Sequence, residues 1–163
     1  MMETEETYKM IFWNVRKLAE QLKNEELSSK QKLRYLLLVF VFLGITPYAY
    51  LGEAFNSAYG IEVLVVLFAT IWGVLYCHEA NEEGDGKDFF ERFICIGVPV
   101  GVRLMAVFLP VYFAATTMFV FLIPVDLISS MEYGYGDVMF TVFIEVAFYV
   151  RVRKWIRFIS VPN

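Results

Sequence analysis

The apolar residues of this chain come in blocks, at 35–51, 58–77, 93–123 and 138–150, instead of alternating with polar ones. Such blocks constrain the fold more than any motif here, because a helix built from them has no polar face to offer water. A helix needs about 20 apolar residues to cross a hydrocarbon core roughly 30 Å thick. The first two blocks fit that length, the third exceeds it and the fourth falls short. Pro99 and Pro110 interrupt the third block and Pro124 ends it, so residues 88–98 read as an interfacial helix that turns into the bilayer near Pro99. With 58% hydrophobic residues in 163, the chain carries more apolar mass than a soluble domain of this length needs. The pattern predicts an all-α integral membrane protein, a four-transmembrane-helix bundle over 35–150.

The basic residues orient that bundle. Seven Lys or Arg precede the first block, Lys87 and Arg92 lie between the second and third, and Arg151, Arg153, Lys154 and Arg157 follow the fourth. The segments 52–60 and 124–137 have none. Basic residues are retained on the cytoplasmic side, so both termini are expected in the cytoplasm, with the chain in an inner or plasma membrane. Residues 1–34 lack an apolar run beside a small-residue cleavage site, so they read as mature protein instead of a signal peptide.

Three cytoplasmic elements follow. In 1–34, Ile11 or Phe12, Val15, Leu18, Ala19 and Leu22 form one stripe, with Arg16, Lys17, Glu20 and Lys23 opposite, which predicts an amphipathic helix. Ser28 or Ser29 then caps the next helix. The loop 79–92 is acidic, with six acids against two bases. The basic tail, 151–163, places Val152, Trp155, Ile156 and Ile159 at helical spacing among Arg153, Lys154 and Arg157. That arrangement predicts a helix continuing from the last span onto anionic lipid.

Charges inside a membrane are costly and therefore point to function. Glu145 in the fourth block and Arg103 in the third stand at matching depths on neighbouring antiparallel spans, so a buried membrane ion pair is expected between them. It would either fix how the spans pack or line a polar path. Glu62, at the outer edge of the second block, is expected to reach water. His78, Glu79, Asp85 and Asp88 are expected to form a polar cluster at the cytoplasmic interface. Cys77 and Cys95 lie near the same ends and should stay reduced.

Two short strings resemble named sites. Residues 134–137, Gly-Tyr-Gly-Asp, resemble part of a potassium-channel selectivity filter, which strips an ion's hydration shell with stacked carbonyls. Glu132 and Tyr133 replace the Thr and Val that precede it there, and glycine with tyrosine also suits an outer turn at a membrane interface. The string Asn81, Glu83, Asp85, Gly86 follows the first half of a calcium-binding EF-hand loop, but Asp88 and Arg92 stand where an apolar residue and a bidentate Glu belong. Each is expected to be a turn: the first at the outer surface, the second leading into a helix whose Phe89, Phe90 and Phe93 face lipid.

No catalytic set emerges, because His78 is the single histidine and no serine sits in a nucleophile-elbow context. No metal site, cofactor or nucleic-acid contact is expected. The reading is a small homo-oligomeric channel or transport-type membrane protein with a polar path near Arg103 and Glu145. The alternative is a non-catalytic membrane anchor or assembly subunit that binds a cytoplasmic protein partner.

Overall fold

The computed structural model describes the backbone of residues 10–49, 57–122 and 135–161. These residues form five helices and, among them, no strand: α1 (Val15–Lys23), α2 (Ser29–Ala49), α3 (Ser57–Glu82), α4 (Phe89–Leu122) and α5 (Tyr135–Ser160). The all-helical expectation holds. Among the described residues, two helices, over Gly60–Glu82 and Phe89–Met118, are long and apolar enough to cross a membrane, where the blocks had implied four. The physical reason is clearest in α5, whose apolar run is interrupted by Glu145 and ends at Arg151.

Local chemistry sets the helix ends. Asn14 caps α1 by accepting the Lys17 backbone N–H at 3.0 Å. Val15, Leu18, Ala19 and Leu22 are all buried, as their spacing requires. Ser28 opens α2 in a reciprocal cap: its N–H donates to the Gln31 side chain at 2.9 Å, while the Gln31 N–H turns back to its hydroxyl at 3.4 Å. The helix expected to turn at Pro99 does not. α4 runs unbroken through Pro99 and Pro110 for 34 residues, since each proline removes one ladder donor without ending the helix. Its Phe89 and Phe93 pack against the core and only Phe90 is exposed, because the first turns of α4 are covered by neighbouring helices.

α3 and α5 lie parallel, the residue numbers at their contacts rising together along both helices, and approach closely where side chains are smallest. A Cβ on Gly73 would stand 2.3 Å from the Tyr149 ring, and one on Gly84 would stand 2.5 Å from Ser160. The Ser160 hydroxyl donates to the Ala80 carbonyl at 3.2 Å, closing the far end of that pair. α4 joins through Gly97 and Gly101, which lie against Phe148 of α5. α2 is tied to α4 by a 2.7 Å ion pair between Lys32 and Glu91.

The packing is concentrated at one end. Val15, Leu18, Ala19 and Leu22 of α1 join Cys77, Cys95, Ile96, Val152, Ile156 and Ile159 in one buried cluster. The basic tail is therefore the last turns of α5, with its apolar stripe packed on protein. Further along the helices the described residues Leu64, Leu67 and Phe68 of α3 and Val107, Val111 and Phe113 of α4 are exposed. Exposed apolar surface on that scale is what a lipid-facing bundle displays, and together with the two long helices it supports a membrane location.

Candidate functional site: the polar groups between the helices

Arg103 and Glu145 go to different neighbours, and no ion pair joins them. Arg103 Nε donates to the Phe12 carbonyl at 3.0 Å, on the segment that leads into α1. Tyr35 grips the same segment from α2: its hydroxyl accepts the Ile11 N–H at 2.9 Å and faces the Ile11 carbonyl at 3.3 Å. Residues 11 and 12 precede the first turn of α1, so their backbone groups lack helical partners. A cation and a phenol supply them. The pair expected from matching depths fails because an unsatisfied backbone carbonyl competes for Arg103. Only the folded position of the N-terminal segment reveals that competitor.

Glu145 faces the α3–α5 interface. On α5 it stands between Thr141 and Tyr149 at intervals of four, so the three share one helix face. Its Oε2 is buried without a hydrogen-bond partner. One turn earlier, Thr141 donates to Glu62 of α3 at 2.8 Å. Glu62, expected to reach water, is only 8% exposed, because α5 covers it. This stretch of the interface thus brings the carboxyl groups of Glu62 and Glu145 near the hydroxyls of Thr141 and Tyr149. Glu62 and its threonine were missed as a site. The signal was there in the spacing of Thr141 and Glu145, four residues apart.

The four residues expected to cluster at the interface are gathered at the packed end of the bundle but divided among different partners. His78 lies edge-on to Phe89 with ring centres 4.9 Å apart and stands 3.7 Å from Glu82. Glu79 is 3.6 Å from Arg153 of α5. Asp85 meets Arg92 through both oxygens, with Oδ2 receiving Nη2 at 2.7 Å and Oδ1 receiving Nη1. Asp88, at φ +47°, precedes α4 and accepts the Arg92 N–H at 3.0 Å with its carbonyl.

The loop that resembles half a calcium site is built around an internal cation. Arg92 Nη1 also donates to Asn81 Oδ1 at 3.0 Å, and Asn81 Nδ2 donates to the Lys87 carbonyl at 3.2 Å. Asn81 and Asp85, the first and fifth positions of that pattern, therefore converge on the guanidinium of the twelfth. The bidentate bond to Arg92 holds the Asp85 carboxyl below the usual carboxylate range, and the Lys87 N–H on its Oδ1 acts in the same sense. Among the described residues no group of three His, Cys, Asp or Glu side chains could hold a metal ion.

Of the filter-like string, Glu132, Tyr133 and Gly134 lie outside the described residues, while Tyr135, Gly136 and Asp137 begin α5. A helical backbone directs its carbonyls along the helix axis, which is not how a filter presents them.

The basic end of α5 completes the polar map. Arg153, with its side chain 18% exposed, lies over the Tyr76 ring with its guanidinium carbon 3.6 Å from the centre. Glu83 stands 3.8 Å from Arg153 and 4.0 Å from Arg157. Lys23 of α1 reaches over the Phe158 ring at 5.4 Å. No protein-family model, curated protein or solved structure matches this chain.

Proposed function

We propose that the chain is a four-span membrane protein of the channel or transport type, working as a homo-oligomer, with both termini cytoplasmic. Its polar path runs along the α3–α5 interface through Glu145. One observation supports this above the rest: a carboxyl oxygen of Glu145 is buried among apolar helices and has no hydrogen-bond partner. An ionisable group in that position costs several kcal/mol unless it is neutral or visited by an ion, so it is an expensive device for packing alone. Thr141 and Glu62 one turn away extend the polar character toward the other end of α3. Arg103 stays outside the path, as its role is to hold the N-terminal segment.

The test is flux through the purified protein in liposomes, for protons, potassium, sodium and chloride, with Glu145→Gln beside the parent. The reading expects flux of at least one ion that Glu145→Gln changes at least ten-fold while the thermal unfolding midpoint stays within a few degrees. Absence of flux for every ion, with folded protein, rejects it.

The second reading is a non-catalytic membrane anchor or assembly subunit. Trp13 supports it: this large aromatic precedes α1 and is 72% exposed, while its neighbour Phe12 is packed. Tryptophan is enriched among the few residues that carry most of the binding energy at protein interfaces. Loss of a co-purifying partner in Trp13→Ser, with the fold intact, would favour it.

A further inference from the structure

A cleft of about 780 Å³ opens at the packed end of the bundle, lined by Lys23, Tyr76, Arg153, Lys154, Arg157 and Phe158 with Val150 and Val161. Its cations come from two elements, Lys23 from the last turn of α1 and the other three from α5. Docking of α1 therefore completes it. We infer that this cleft binds the phosphate of an anionic lipid headgroup.

Charge balance comes first. Four cations line the cleft, and the carboxylates near them are Glu79 and Glu83. The C-terminal ends of α1 and α5 add about half a negative charge each. The sum remains about one unit positive. The two carboxylates also stand 3.6 to 4.0 Å from the guanidinium nitrogens, beyond direct hydrogen-bond length. The forks of Arg153 and Arg157 thus keep donors for an incoming oxyanion, and a guanidinium matches phosphate in a bidentate manner. Tyr76 beneath Arg153 and Phe158 beneath Lys23 hold two of the cations in place through their ring faces.

The surroundings select a lipid over a free ion. Val150, Phe158 and Val161 make the cleft wall apolar, and Val150 continues to exposed Val146 one turn away. Tyr76 is stacked on exposed Trp72 at 5.2 Å, carrying the apolar strip along α3. A headgroup in the cleft would leave its acyl chains on that strip. The two aromatic rings sit where such residues mark a membrane interface. This inference rests on the membrane location in the proposed function, though not on transport.

The experiment begins with alkaline carbonate extraction of membranes holding the full chain. Release into the supernatant would overturn the membrane location and this assignment together. Retained protein is then purified in neutral detergent, and lipid adducts are counted by native mass spectrometry with phosphatidylglycerol or phosphatidylcholine of the same chains. The expected result is retention of phosphatidylglycerol roughly 10- to 30-fold above phosphatidylcholine, lost in Lys23→Gln with Lys154→Gln. Lys30→Gln with Arg151→Gln removes the same charge outside the cleft and should keep the preference. Equal retention of both lipids, or equal loss in both double variants, overturns the site. Displacement of phosphatidylglycerol by millimolar inorganic phosphate would reassign it to the free ion and overturn the lipid.

Discussion

Arg103 Nε donates to the Phe12 carbonyl at 3.0 Å, joining residues 91 positions apart in sequence. The bond makes an arginine of α4 the clasp of the N-terminal segment, and it accounts for how a nine-residue helix stays on the bundle. A helix that short is marginal alone, so its position depends on burying its apolar stripe and on satisfying the backbone just before it.

Arg103→Gln should therefore loosen the N-terminal segment before anything else. A hydrogen bond from a charged group to a backbone carbonyl is worth about 1.5–3 kcal/mol, and glutamine is too short to restore it. Hydrogen exchange should quicken at 11–22 while α3 and α5 keep their protection. Unchanged exchange at 11–22 would show that the stripe alone holds α1.

Gly73→Ala tests how α3 and α5 meet. The new methyl would fall 2.3 Å from the Tyr149 ring, which no rotamer adjustment of alanine can relieve. Overpacking of this kind costs about 1–3 kcal/mol. Combining it with Tyr149→Ala should cost less than the sum of the two single variants, and strict additivity of the unfolding midpoints would contradict the contact.

Asp85 should make the stability depend on acid. Its carboxyl is held below its ordinary value, chiefly by the hydrogen bonds from Arg92. A depressed native pKa means the stabilisation is fully present above the unfolded value, about 3.9, and is lost as pH falls through the native value. Asp85→Asn should lower stability at pH 7 by about 1–3 kcal/mol. Melting curves from pH 7 to pH 3 should show the gap between parent and variant closing toward the acid end, whereas a constant gap would exclude the ionised pair as its source. Calcium with either protein should leave the midpoint unchanged, since the guanidinium already occupies the converging oxygens.

Both thiols should resist labelling in the folded protein. Cys77 is fully buried, with its Sγ 3.6 Å from the Tyr149 carbonyl, and Cys95 is 1% exposed. A maleimide should modify neither under native conditions and both after denaturation. Rapid native labelling of Cys77 would mean that α3 and α5 separate readily.

The sequence by itself determined the class and the local geometry. Blocks without polar faces compel helices packed away from water, the three-and-four spacing of Val15, Leu18, Ala19 and Leu22 names the buried side of α1, and Ser28 marks the start of α2. Each is a property of neighbouring residues, so periodicity and capping chemistry suffice to read it. Which polar groups meet was decided only by the tertiary structure. Matching depth made Arg103 and Glu145 plausible partners, but depth says nothing of the Phe12 carbonyl that takes the guanidinium, nor of the α5 face that covers Glu62. Buried polar groups bind whichever unsatisfied partner the packed backbone brings within 3 Å, and that competition is settled across the whole chain. The same holds for Lys23, an ordinary solvent-side residue of an amphipathic helix until α1 docks and sets it beside Phe158 and the basic end of α5.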